Sequence, residues 1–124
     1  MILLDSNIII YSYHQKYISL RKLISENECF VSDISYIETL GYHKLSNPEK
    51  TYLHELFKIV KRIPINDSII SIAVDLKQKR KMTLGDSIIA ATALHFKLKL
   101  ATKNIDDFEG YNLELFDPTS DFNL

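Results

Sequence analysis

Ile2-Leu3-Leu4-Asp5-Ser6-Asn7 sets an apolar run directly against a carboxylate and two small polar residues. A short apolar run closed by a helix-starting signal reads as a strand buried on both faces, so the first strand ends at Leu4 and Asp5 follows it at once. Similar apolar runs return at 29–32, 99–102 and 113–116, and the stretches between them carry helical periodicity. That spacing predicts helices over about 7–13, 17–26, 34–46, 48–62, 68–80 and 85–97, with Pro48 suited to a first helical turn. Short strands alternating with helices define an α/β class. The expected architecture is a central, largely parallel sheet of about four or five short strands flanked by about six helices.

The 124 residues, 46% of them hydrophobic, suffice for one packed core, so a single domain over 1–124 is expected, its polar tail after about Pro118 loosely held. Three glycines and three prolines punctuate the chain, with no low-complexity stretch. Cys29, the lone cysteine, lies in the apolar run Cys29-Phe30-Val31, where a thiol behaves as a small buried hydrophobe. It can form no internal disulfide, which fits a reducing, cytoplasmic setting. The first residues carry neither a basic leader nor a long apolar stretch, which argues against a signal peptide or a membrane span. A net charge of −1 confines any nucleic-acid contact to local patches. Lys77, Lys79, Arg80 and Lys81 form the densest, and Lys58, Lys61 and Arg62 follow at helical spacing on a preceding segment. A solvated helix end explains the same run without function.

In open parallel sheets, chemistry gathers outside the carboxyl ends of the strands. The acids fall there: Asp5 after the first strand, Glu38 in the helix after the second, Asp86 opening a late helix, and Asp106-Asp107 after the strand ending at Thr102. Structural capping competes with that reading, because Ser35-Tyr36-Ile37-Glu38 and Thr83-Leu84-Gly85-Asp86 both have the form of a capping box or a near relative. Facing discriminates further. Glu38 shares its helical side with Ile34, Gly41, Tyr42 and Leu45, and Asp86 with Ile89, Ala90, Ala93 and Leu94, so both carboxylates are expected to point inward. Glu55 and Asp75, with polar and charged neighbours, read as solvated. A buried ionised carboxylate is costly unless paired or bound to a cation. Carboxylates without thiolate or histidine partners are hard oxygen ligands, which points to Mg²⁺ or Mn²⁺ rather than zinc. His14, His43, His54 and His95 show no metal-binding spacing. Two hard cations roughly 3.5–4 Å apart can activate a water and stabilise the leaving oxygen of a phosphodiester, which is nuclease chemistry. Without metal, clustered acids raise one another's pKa values.

These residues add up to a resemblance. Leu3-Leu4-Asp5-Ser6-Asn7, Ser32-Asp33-Ile34-Ser35-Tyr36-Ile37-Glu38, Gly85-Asp86-Ser87-Ile88-Ile89-Ala90-Ala91-Thr92-Ala93 and Ala101-Thr102-Lys103-Asn104 are similar to the motifs of the PIN-domain nucleases, in order and spacing, across nearly the whole chain. Small single-domain members of that family are VapC-type toxins. The resemblance implies a Mg²⁺- or Mn²⁺-dependent endoribonuclease with RNA as substrate, held inactive by a cognate antitoxin and working as a homodimer. Carried over residue by residue, Asp5, Glu38 and Asp86 match the family's three most regular acidic positions. Asp5 and Asp86 are then the first choice as metal ligands, with Glu38, Asn104 and Asp107 also candidates. The fourth position stays open among Asn104, Asp106 and Asp107. Ser6 and Thr102 match positions that steady an acid or a metal-bound water, and both also suit helix or strand-end caps.

Three rival readings share the length and the acids. A signalling receiver domain has a late Thr-Lys pair, here Thr102-Lys103, but wants paired acids after its first strand, where this chain has Asp5-Ser6-Asn7. A haloacid-dehalogenase-type phosphatase wants an Asp where Asn7 stands. A PIN-like fold with weakened catalysis, kept as an RNA- or protein-binding module, is consistent with Asn104. The crowded apolar residues Ile8, Ile9, Ile10, Tyr11 and Tyr13 suggest a surface that meets a partner helix, and Tyr17 and Tyr36 are candidates to stack on unpaired bases.

Overall fold

A computed structural model of the chain describes residues 1–120. Five short strands carry the architecture: β1 (Ile2–Leu4), β2 (Cys29–Ser32), β3 (Lys61–Ile63), β4 (Lys99–Ala101) and β5 (Leu115–Phe116). They pair in the order β3-β2-β1-β4-β5, every neighbour parallel, with Leu3 opposite both Phe30 and Leu100, and Ser32 opposite Ile63. A receiver domain needs the order 2-1-3-4-5, so the topology removes that rival.

Parallel strands need crossovers, and helices supply them. Between β1 and β2 run α1 (Ser6–Tyr11), a 3₁₀ turn (Gln15–Tyr17) and α2 (Ser19–Glu26). Next come α3 (Asp33–Leu40) and α4 (Asn47–Ile59) before β3, α5 (Asp67–Lys79) and α6 (Leu84–Phe96) before β4, and the single turn α7 (Ile105–Phe108) before β5. The pleat sends alternate side chains to opposite layers. Ile2, Leu4, Cys29 and Val31 pack under α1, α2 and α4 with Ile8, Ile9, Leu20, Leu53 and Leu56. Leu3, Ile63 and Leu100 pack under α5, α6 and α7 with Ile69, Ile89, Ala90 and Phe108.

Three local expectations are corrected. The helix expected over 48–62 ends at Ile59, and Lys61–Ile63 is an edge strand whose two exposed cationic residues keep the free edge from pairing with another chain. Lys61 and Arg62 therefore lie on a strand and not at helical spacing. The helix expected over 34–46 ends at Leu40. The tail is held at least through Ser120: Thr119 is fully buried, donates to Asp117 and accepts from Lys103 Nζ at 3.4 Å. The part of the expected loose tail beyond 120 lies outside the described residues. Among the described residues no helix is long and apolar enough to cross a membrane.

Candidate active site

The parallel register brings the carboxyl ends of β1, β2 and β4 to one rim of the sheet, and the helices that start there carry the acids. Asp5 leaves β1 as the N-cap of α1. Its Oδ1 accepts from the Ser6 backbone N–H and its Oδ2 from the Thr102 hydroxyl, both at 2.7 Å. Thr102 Oγ1 also accepts from the Asn104 N–H at 3.0 Å, so the ends of β1 and β4 are tied through one carboxylate. Asp5 is only 5% exposed. Burial pushes its carboxyl up to about 6; the Thr102 and Ser6 hydrogen bonds pull it back, and the charges of Asp86 and Glu38 push it further up.

Glu38 departs from expectation. It is exposed, at the cleft rim, because α3 stops before Gly41, Tyr42 and Leu45 can extend the apolar stripe that was to draw it inward. The buried side of α3 is instead polar, formed by Ser35 and Thr39. Ser6 connects the two elements: its hydroxyl lies 2.9 Å from Ser35 Oγ and 3.0 Å from Glu38 Oε1. A carboxylate only accepts, so the single Ser6 proton goes to Glu38 and Ser35 donates to Ser6. Opposite stands the first turn of α6. A methyl group on Gly85 would lie 3.0 Å from Glu38 Oε2, and the missing side chain lets the carboxylate approach Asp86.

Asp86 is half-buried in that turn, its N–H donating to the N-cap Thr83 Oγ1 at 3.1 Å. Burial first, then the charge of Asp107, raise its pKa; the Thr83 hydroxyl lowers it and Glu38 raises it again. Glu55 and Asp75, read as solvated, are exposed. Asp106 and Asp107 sit exposed on α7 and line, with Arg80, Lys81, Met82, Thr83 and Asp86, an open trough of about 600 Å³. Asn104 caps α7 without a side-chain bond and is exposed. On the other side of the acids, Glu38 closes an apolar groove of about 320 Å³ lined by Ile10, Tyr13, Tyr42, Leu45 and Leu53, with Glu49 at its edge. Ile8 and Ile9 are core, so of the crowded isoleucines only Ile10 remains outside.

Capping and clustering turn out to be one arrangement. Asp5 and Thr83 cap helices, whereas Ser32, not Ser35, caps α3. The ion pairs among the described residues, such as Lys61–Glu28 and Arg62–Asp33, include none of Asp5, Glu38, Asp86 and Asp107. No three Asp, Glu, His or Cys side chains among the described residues form a ready-made ion cage. Open carboxylates with room for water suit Mg²⁺ or Mn²⁺, which keep several waters and take one or two protein carboxylates beside substrate phosphate. The donor set fits such an ion. Asp5 and Asp86 would hold it, with Glu38 and Asp107 contributing their charge beside them.

The basic run divides. Lys77 Nζ donates to the Met82 carbonyl at 2.7 Å and Arg80 to the Asp107 carbonyl at 2.8 Å, while Lys79 and Lys81 stay exposed, Lys81 in the trough. Tyr17 is buried against Tyr11 and offers no face to a base; the Tyr36 ring is covered by Arg62 and by the edge of Phe57. Sequence reasoning quoted Ser35 and Gly85 within motifs but missed their approach to Ser6 and Glu38, and it missed the partners of Arg80. Only Gly85, placed directly before Asp86, carried a local signal.

Comparison with known families matches residues 2–112 to the family described as the PIN domain. Comparison with curated proteins gives no match. Among solved structures, the chain is similar to a toxin–antitoxin complex from Klebsiella pneumoniae, at 26% identity and TM-score 0.77 over 95% of this chain and 98% of that one. FitAcB from Neisseria gonorrhoeae is 25% identical at TM-score 0.78, over 97% and 99% of the two chains. VapBC-1 from nontypeable Haemophilus influenzae is 26% identical at TM-score 0.71, over 94% and 98%.

Proposed function

The chain belongs to the PIN domain family, and from that premise we propose that it is a divalent-metal-dependent endoribonuclease, the toxin of a type II toxin–antitoxin pair acting in the cytoplasm. The observation that carries the reading is the gathering of Asp5, Glu38, Asp86 and Asp107, each close enough to bear on another's charge, at one rim, with none of them in an ion pair among the described residues. Bound Mg²⁺ or Mn²⁺ would supply positive charge, activate a water and stabilise the departing oxygen of the phosphodiester. The protein's own residues do the rest. Thr102 and Ser6 fix both oxygens of Asp5 by donating to them, and Ser6 also fixes Glu38. Lys81, in the trough beside Asp86, attracts the RNA backbone, and exposed Lys79 adds to that attraction.

The toxin half of the reading draws support from the solved relatives, one of them a toxin–antitoxin complex. The apolar groove ending at Glu38 suits an antitoxin helix with an apolar face and an arginine that pairs with the acids. In this reading the toxin works as a homodimer.

The test incubates the purified chain with bulk tRNA and rRNA in Mg²⁺ or Mn²⁺ against Asp5→Asn and Asp86→Asn. Cleavage by the wild type alone is expected, together with a rise in thermal midpoint when Mn²⁺ is added, because metal binds the folded cluster and not the unfolded chain. Equal cleavage by all three proteins would sink the nuclease reading. Metal binding without cleavage by any would instead favour a binding module.

A further inference from the structure

Arg80 ends α5, more than twenty residues in sequence from the turn α7, yet its side chain is spent on that turn. Its guanidinium donates to the backbone carbonyl of Asp107 at 2.8 Å and lies over the Tyr111 ring, 4.3 Å from the centroid. Gly110, at φ +88°, lets the chain curl beneath it: a Cβ there would stand 3.5 Å from an Arg80 terminal nitrogen. The segment 107–111 is thus gripped at both ends by one planar group, which hydrogen-bonds through an edge N–H while its face lies over a ring.

The gripped segment carries an acid of the cluster. Asp107 shares the trough with Asp86, but α7 is a single turn and Asn104 gives it no side-chain cap, so its own hydrogen bonds do little to fix where Asp107 stands. Lys79 and Lys81, flanking Arg80, make no comparable contact with α7 and serve as natural controls.

We propose that Arg80 is a positioning residue, holding Asp107 beside Asp86 by gripping the backbone of α7. The inference rests on the nuclease reading for its purpose, though not for its geometry. It also gives a sign that plain electrostatics does not. Removing a positive charge next to an acidic cluster strengthens cation binding, whereas releasing a ligand-bearing turn weakens it.

The experiment measures Mn²⁺ affinity by calorimetric titration and, without metal, amide hydrogen exchange over 105–109. The proteins are wild type, Arg80→Gln, Lys79→Gln, Asp107→Asn and the Arg80→Gln/Asp107→Asn double variant. Arg80→Gln is expected to weaken Mn²⁺ binding by about tenfold, as losses of outer supports around a metal do. It should also speed exchange over 105–109 by about tenfold in the metal-free protein. Lys79→Gln should do neither. In the Asp107→Asn background, Arg80→Gln should still speed exchange but leave Mn²⁺ affinity unchanged, since the ligand it positions is gone. Unchanged or tighter Mn²⁺ binding in Arg80→Gln overturns the proposal, as does an equal loss in both backgrounds. If the wild type neither binds Mn²⁺ nor cleaves RNA, the nuclease reading falls, and unaltered exchange in Arg80→Gln then decides against the grip itself.

Discussion

Replacing Asp5 by Asn should stabilise the metal-free protein at neutral pH and leave it nearly unchanged at pH 4. Asp5 is almost fully buried and its carboxyl is raised from 3.8 to about 6. Below about pH 4 it is protonated in both the folded and the unfolded chain and costs nothing. Between about 4 and 6 the folded chain keeps a proton that the unfolded chain has released, so this group's share of stability falls as pH rises, and above 6 it is fully lost. The displacement from 3.8 to about 6 is worth about 3 kcal/mol. Asn cannot ionise and avoids that loss. It also keeps both hydrogen bonds, accepting from the Ser6 N–H and donating to Thr102, whose hydroxyl can accept as well as donate.

Burying an amide has its own cost, so we expect about half of the full figure, about 1.5 kcal/mol or ~6 °C in thermal midpoint for a domain of this size. The assay is thermal unfolding of both proteins in EDTA at pH 4 and pH 7.5. The quantity read is the difference between the two differences, which cancels any pH-independent effect of the substitution. Glu28 and Glu49, whose pKa values are lowered by Lys61 and by Ser46, titrate alike in both proteins and cancel too. An Asn variant that gains nothing on going from pH 4 to pH 7.5 would refute the claim that Asp5 holds an uncompensated buried charge. Added Mn²⁺ should reverse the order at pH 7.5, because only the wild type then gains the metal's binding energy.

Two further substitutions probe the supports of the cluster. Gly85→Ala improves helix propensity in α6 by as much as about 1 kcal/mol, but sets a methyl group 3.0 Å from Glu38 Oε2. Thermal stability should therefore hold or rise while RNA cleavage falls severalfold; unchanged cleavage would show that the Glu38 position does not matter. Thr102→Val removes the side-chain hydrogen bond to Asp5 and the acceptor for the Asn104 N–H, at a cost of about 1–3 kcal/mol. With that lowering influence gone, the Asp5 pKa rises above 6 and the acid limb of the cleavage profile moves to higher pH, which a pH–rate series reads directly.

The legible parts of the chain were those whose cause is local. Ile2-Leu3-Leu4-Asp5 announced a buried strand ending on an acid because a both-faces-covered strand has nothing but apolar residues to show. Val60-Lys61-Arg62-Ile63 did not announce β3, since an edge strand is half-solvated and its cations mimic the end of the helix before it. The turn α7 was too short for any periodicity to appear. Glu38 was placed by an apolar stripe drawn on a helix that was assumed to run six residues too far. Its true environment depends on Ser6 and Gly85, far away in sequence and local only in space.

The fourth acid shows why such a site cannot be completed from motifs alone. Asn104, Asp106 and Asp107 lie within four residues, and sequence spacing treats them as near equals. What separates them is support. Asn104 is tied by its backbone to Thr102, which turns that residue to the task of holding the end of β4. Asp107 bears on Asp86 by charge and has its carbonyl gripped by Arg80, a contact across 27 positions that no local pattern encodes. Asp106 lines the trough with neither. A carboxylate on a single uncapped turn that is to serve a metal site needs its backbone fixed from outside that turn. By that criterion we propose Asp107, rather than Asn104 or Asp106, as the fourth member of the cluster opened by Asp5.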